Sequence, residues 1–206
     1  MERETMYWRI NFRLCIANKL LLTAGLFVLI PFLHGVTYLD AQYSADCLEK
    51  YVALTGLLLF PALAAPEQER EIFEMVAARP KAHWKTIGQR ICMAGAAVYL
   101  CILAFGALLR AGHCEFPYWA YTAGTFCTAA ALGSFGLLGA VISRNYIAGY
   151  LVSLGYYLAN LFGGPDKMGP FFLNSMTAQV VGQKPVLLCI SGVCLILSII
   201  RIRYQK

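Results

Sequence analysis

The sequence predicts an all-helical integral membrane protein of six transmembrane helices, with both termini cytoplasmic and the whole chain, 1–206, forming a single transmembrane domain. Three observations carry this. Charged residues are only 14% of the 206 and apolar ones 59%, where about 25% charged is usual in soluble domains. Six apolar runs each approach the roughly 20 helical residues that a hydrocarbon core about 30 Å thick requires. Lys and Arg are also distributed unevenly between the two sets of loops these runs define, and basic loops stay cytoplasmic. Strands of a membrane barrel would alternate over about ten residues, which these solid runs do not.

The first run, Leu20 to Leu39, follows a basic flank, but it contains Pro31 and lacks a small-x-small cleavage site, so it is expected to be a retained span. The second, Leu48 to Ala65, carries Glu49 and Lys50 at its outer end. The third runs from Ile91 to Leu109, the fourth from Phe116 to Ile142, the fifth from Tyr146 to Phe162 and the sixth from Pro185 to Ile200. Two connections are longer than turns: Pro66 to Arg90 on the cytoplasmic side and Gly163 to Lys184 on the outer side. One side collects Arg3, Arg9, Arg13, Lys19, Arg70, Arg79, Lys81, Lys85, Arg90, Arg144, Arg201, Arg203 and Lys206. The other has Lys50, Arg110, Lys167 and Lys184. The formal charge of +6 is therefore read as topology, and no nucleic-acid partner is expected.

No acidic or basic residue is expected in the middle of a span, which argues against a carrier driven through a membrane carboxylate. His34, near the outer end of its span, reads as a hydrogen-bonded interfacial side chain. Around Ser134 the sequence Gly133-Ser134-Phe135-Gly136 lacks the leading glycine of a nucleophile turn. Small residues recurring three and four apart, Gly133, Gly136 and Ala140 among them, predict a helix-packing face. There is no His-Glu-x-x-His zinc motif and no phosphate loop, so neither a metal nor ATP is expected on this chain. The eight cysteines show no Cys-x-x-Cys spacing and read mostly as small buried hydrophobes; Cys47 and Cys114 fall where an outer disulfide could form.

The most informative stretch is cytoplasmic. From Pro66 to Arg79 a short amphipathic helix is predicted. Pro66 suits its first position, Glu67, Glu69 and Glu71 meet the positive end of its dipole, and Pro80 stops it beside Arg79. Ile72, Phe73, Met75 and Val76 form an apolar stripe, while Glu67, Glu71 and Glu74 form an acidic one, with Arg70 placed to pair with Glu74. Helices that lie on headgroups usually present a basic polar face. An acidic face is repelled by anionic lipid, so docking on a protein fits better.

Six spans, this glutamate-rich helix, and Arg79-Pro80-Lys81-Ala82-His83-Trp84 leading to Arg90 resemble the permease subunit of an ABC type-2 transporter. The resemblance implies that residues 66–79 are a coupling helix seated on a separate ATPase subunit, which would hold ATP and Mg. It implies a second permease subunit, identical or not. It also implies an interfacial elbow helix near Thr5 to Lys19, and re-entrant helices in the outer loop broken at Gly163-Gly164-Pro165 and Gly169-Pro170. The expected activity is export of an amphipathic, peptide or lipid-like cargo across the cell membrane, with no catalysis by this chain. A non-transporting scaffold or immunity-type membrane protein shares the bulk features and remains the alternative.

Overall fold

The computed structural model describes residues 18–67, 83–178 and 183–204. Among these, every regular element is helical. Helix α1 spans Asn18–His34 and stops there because Gly35 turns to φ 75°, its N–H closing on the Pro31 carbonyl at 3.2 Å. The first expected run is thus cut short by a left-handed cap, leaving 36–39 in a loop.

The second span is built from pieces. Helix α2, Ala41–Cys47, passes into a π-helical turn, Leu48–Val52, and then into α3, Leu54–Leu59. The π turn is marked by the Ala53 N–H reaching back five residues to the Leu48 carbonyl at 3.0 Å. After α3, Pro61 has no N–H to continue the ladder. The chain tightens into a 3-10 helix, Pro61–Glu67, with Leu63 donating to the Phe60 carbonyl at 3.0 Å.

Helix α4, His83–Ala111, is followed by α5, Tyr118–Ser143. Arg144 caps α5 in the left-handed region (φ 53°). Asn145 then starts α6, Tyr146–Met168, by accepting the Ile147 N–H at 2.9 Å. Helix α6 is broken at Gly164 (φ 72°) and followed by a 3-10 turn, Gly169–Phe171. Helix α7, Gln183–Tyr204, ends the described chain.

Among the described residues, four helical stretches are long and apolar enough to cross a membrane: Ala41–Ala65, Ile87–Ala111, Tyr118–Ser143 and Gln183–Ile202. The other two expected spans, α1 and α6, are also helical. Helix α1 is apolar, with 17 described residues ending at His34. Helix α6 carries Tyr150, Ser153, Tyr156, Tyr157 and Asn160 along its length, and all five are hydrogen-bonded. The layers follow from burial. The apolar stretches of span two and α5 are 72% and 67% buried, those of α4 and α7 only 33% and 28%. Helix α5 and span two therefore form the inside of the bundle, and α4 and α7 present most of their surface outward.

Helix α5 can occupy that position because its inward residues are small or internally bonded. Thr122 and Thr125 donate to the carbonyls of Tyr118 and Tyr121 four residues back, at 2.8 and 2.7 Å. Gly56 of α3 faces the Ala129 carbonyl so closely that any Cβ would overlap the backbone. A Cβ on Gly133 would come within 2.5 Å of the Phe60 ring, and one on Gly136 within 2.7 Å of Pro61 Cγ. Ala140 packs against Gly149 of α6. Gly133, Gly136 and Ala140 are all buried, so this face brings α5 against the end of span two and the start of α6.

The contrast between Gly56 and Gly155, whose absent Cβ would meet nothing within 4 Å, gives a test. Gly56→Ala is expected to destabilise the bundle by about 2 kcal/mol or more, because backbone must move. Gly155→Ala is expected to be neutral or stabilising by up to about 1 kcal/mol. Reversible unfolding in detergent micelles measures both.

Candidate functional site

The π turn of span two holds the most unusual side chain among the described residues. Glu49 is fully buried, about 12 Å along a helix that begins at Ala41. The sequence expectation placed it at the outer end of a span beginning at Leu48. The extra residues 41–47 continue the helix beyond that point and leave Glu49 inside it. The expectation of charge-free spans is corrected accordingly.

A carboxylate can stay buried only when its oxygens are occupied. Oε1 of Glu49 accepts the Met176 N–H at 3.1 Å and a bond from Lys184 Nζ. Oε2 accepts the Thr177 N–H at 2.8 Å and the Thr177 hydroxyl at 2.9 Å. Lys184, in the first turn of α7, is equally saturated. Besides Glu49, its ammonium donates to Thr128 Oγ1 and to the Leu173 carbonyl, both at 2.6 Å. An ammonium has three donors, and here all three are used. The pair therefore joins span two, α5 and α7 as a neutral, fully bonded unit, with no donor or acceptor position free for an ion.

This unit also fixes the chain between α6 and α7. After the break at Gly164 the backbone turns inward, and Phe172, Leu173, Asn174 and Ser175 are buried although no regular helix contains them. The Leu173 N–H donates to Asn160 Oδ1 at 2.9 Å, and the Tyr156 hydroxyl donates to the Phe171 carbonyl at 2.6 Å. Gly124, having no side chain, leaves the room that Met176 occupies against α5. Three buried oxygens in this region, Asn174 Oδ1, Ser175 Oγ and Gln183 Oε1, have no hydrogen-bond partner among the described residues.

Helix α6 does comparable work on span two. Tyr157 donates its hydroxyl to the Lys50 carbonyl in the π turn at 3.0 Å, and Tyr150 donates to the Leu58 carbonyl at 3.1 Å, just before the 3-10 break. The two tyrosines are seven residues apart and so share a face. Each satisfies a carbonyl at one of the two irregularities of the span. Lys19 lies 5.7 Å above the Tyr150 ring, adding α1 to the same end of the bundle.

The structure places the residues singled out in the sequence at several separate points. Glu67 closes the 3-10 helix Pro61–Glu67. Arg70, Glu71, Ile72, Phe73, Glu74, Met75, Val76 and Arg79 lie outside the described residues, as does most of the stretch from Thr5 to Lys19. His34 donates from Nε2 to the Tyr43 carbonyl at 3.2 Å and packs 5.4 Å from the Tyr51 ring. Ser134 is a buried mid-helix residue bonded to the Ala131 carbonyl. Cys47 and Cys114 are buried free thiols, and the Cys114 sulfur is engaged by the Val36 carbonyl and the Leu39 N–H. No group of three or more metal-ligating side chains occurs among the described residues.

Sequence reasoning missed Glu49, Thr128, Asn160, Thr177 and Lys184 as one cluster. The available signal was a pair of opposite charges, Glu49 and Lys184, assigned to the same end of two spans.

Removing one member of a buried ion pair strands the other, at about 3–5 kcal/mol. Glu49→Leu and Lys184→Met are each expected to lose about that much in reversible unfolding. The charge swap Glu49→Lys with Lys184→Glu is not expected to restore stability, because a lysine cannot accept the Met176 and Thr177 N–H groups. Comparison with protein-family models, with curated proteins and with solved structures finds no match to this chain.

Proposed function

We propose that the chain is the transmembrane permease subunit of an ABC type-2 transporter in a cell membrane. On this reading it exports an amphipathic, peptide or lipid-like cargo and is driven by separate ATPase subunits. The observation that carries the reading is the segment before α7, which breaks at Gly164 and Gly169 and is then buried in the bundle at residues 172–175. It has the character of the re-entrant helices such permeases hold at that point. Supporting it, span two runs through a 3-10 helix into the acidic, half-apolar stretch 66–79, where a coupling helix belongs.

The mechanism on this reading is mechanical. Closure of nucleotide-loaded ATPases moves the stretch around Glu71 to Val76. That stretch continues from a span that is itself jointed, at its π turn and at Pro61, so a push at its end is passed on by tilting its pieces rather than by stretching one rigid rod. Packed helix contacts with discrete arrangements supply the two states. This chain supplies coupling and path, the ATPase supplies ATP and Mg chemistry, and a second permease subunit completes the path.

Affinity purification of the tagged chain from its native membrane is expected to bring down a soluble protein with a phosphate loop. Phe73→Asp is expected to weaken that association at least about tenfold, the scale of one buried aromatic contact, while the protein still inserts. Recovery without any nucleotide-hydrolysing partner favours the scaffold alternative. Undiminished capture by Phe73→Asp removes the coupling assignment.

A further inference from the structure

We propose that residues 165–178 form a strap, hinged at Gly164 and Gly169 and latched by Glu49, that closes over the interior of the bundle and opens as one unit when the carboxylate lets go. The inference concerns this chain alone and does not depend on the transporter reading.

The hinges are explicit. Gly164 at φ 72°, ψ 171° and Gly169 at φ 50°, ψ −126° adopt backbone conformations that other residues rarely take. Rotation at these two points reorients the strap without disturbing the part of α6 that precedes them.

The latch is equally explicit. Beyond its internal turns, the strap is tied to the other described residues by bonds ending on a few side chains: Tyr156 and Asn160 on α6, Lys184 on α7, Thr128 on α5, and Glu49. Glu49 holds two successive backbone N–H groups and a hydroxyl of the strap. It also holds Lys184, whose ammonium grips the Leu173 carbonyl. Bonds to a charged acceptor are the stronger kind, so one side chain dominates closure from both directions.

The closed strap is also poised. It buries Asn174 Oδ1 and Ser175 Oγ without partners among the described residues, although Asn174 is only 7% and Ser175 only 1% exposed. Unpaired buried polar atoms oppose the closed state and are relieved on opening to water. A segment that existed only to fill space would have no use for them. Glycine hinges, a concentrated anchor and an opposing polar load together describe a lid more closely than a fixed plug.

The test is hydrogen–deuterium exchange of the purified full chain in micelles, resolved to single amides. The Met176 and Thr177 amides bond to Glu49, whereas the Leu173 amide bonds to Asn160. In Glu49→Gln, a strap that opens as a unit exchanges all three together, each faster by about tenfold or more, while Leu132 and Leu137 of α5 stay protected. Faster exchange at Met176 and Thr177 with Leu173 unchanged would mean independent bonds and overturn the proposal. Unchanged exchange at all three, or a rise shared equally by α5, would overturn it as well. If Glu49→Gln does not fold, Thr177→Val, which removes only the hydroxyl bond, is expected to give the same pattern with a smaller rise, and the same results count against the strap.

Discussion

Within hydrocarbon no water is present to complete a broken backbone ladder, so every irregular turn must find its partners inside the protein. That constraint organises this molecule. Span two is interrupted twice, by the π turn Leu48–Val52 and by the 3-10 helix Pro61–Glu67, and residues 172–175, between α6 and α7, are buried without regular structure. Each of these would be costly alone. Each is matched by a side chain from another element: Tyr157 and Tyr150 serve the carbonyls of Lys50 and Leu58, Asn160 serves the Leu173 N–H, and Glu49 serves Met176 and Thr177. The polar residues of α6, which make it the least membrane-like of the long helices, are there to complete other elements.

The buried ion pair belongs to the same logic. With both members saturated, Glu49 and Lys184 present a neutral unit to their surroundings, and the Coulomb attraction need not be the main point. The carboxylate is the acceptor for two adjacent N–H groups, a task that neither a hydrophobic pair nor a reversed pair could perform. The arrangement thus differs from intramembrane carboxylates that bind ions, which keep an oxygen available.

Much of the fold is legible in the sequence, because apolar runs of sufficient length have few alternatives. The runs ending at Leu109 and Ile142 fall close to the ends of α4 and α5 at Ala111 and Ser143. The breaks at Gly164-Pro165 and Gly169-Pro170 are legible too, since glycine and proline interrupt helices locally. Where the broken chain goes is not, because that depends on partners distant in sequence. Glu49 and Lys184 are 135 residues apart, and a charge at the end of an apolar run looks the same whether it reaches for water or for another side chain. The start of span two is hidden for a related reason. Residues 41–47 are polar enough to pass for a loop, and they are helical because Ser44, Ala45 and Cys47 are buried by neighbouring segments. Residues 68–79 of the acidic stretch lie outside the described residues.

The separation of Glu49 and Lys184 along the chain also has a consequence in time. A ribosome adds about 5–20 residues per second, so the carboxylate leaves the exit tunnel roughly 7–27 s before its cation, 135 residues later, does the same. During that interval the nascent second segment has no counter-ion of its own to meet. Its final seating in the lipid must wait for α7, which makes the arrival of Lys184, rather than that of span two itself, the event that commits the second segment to its mature form.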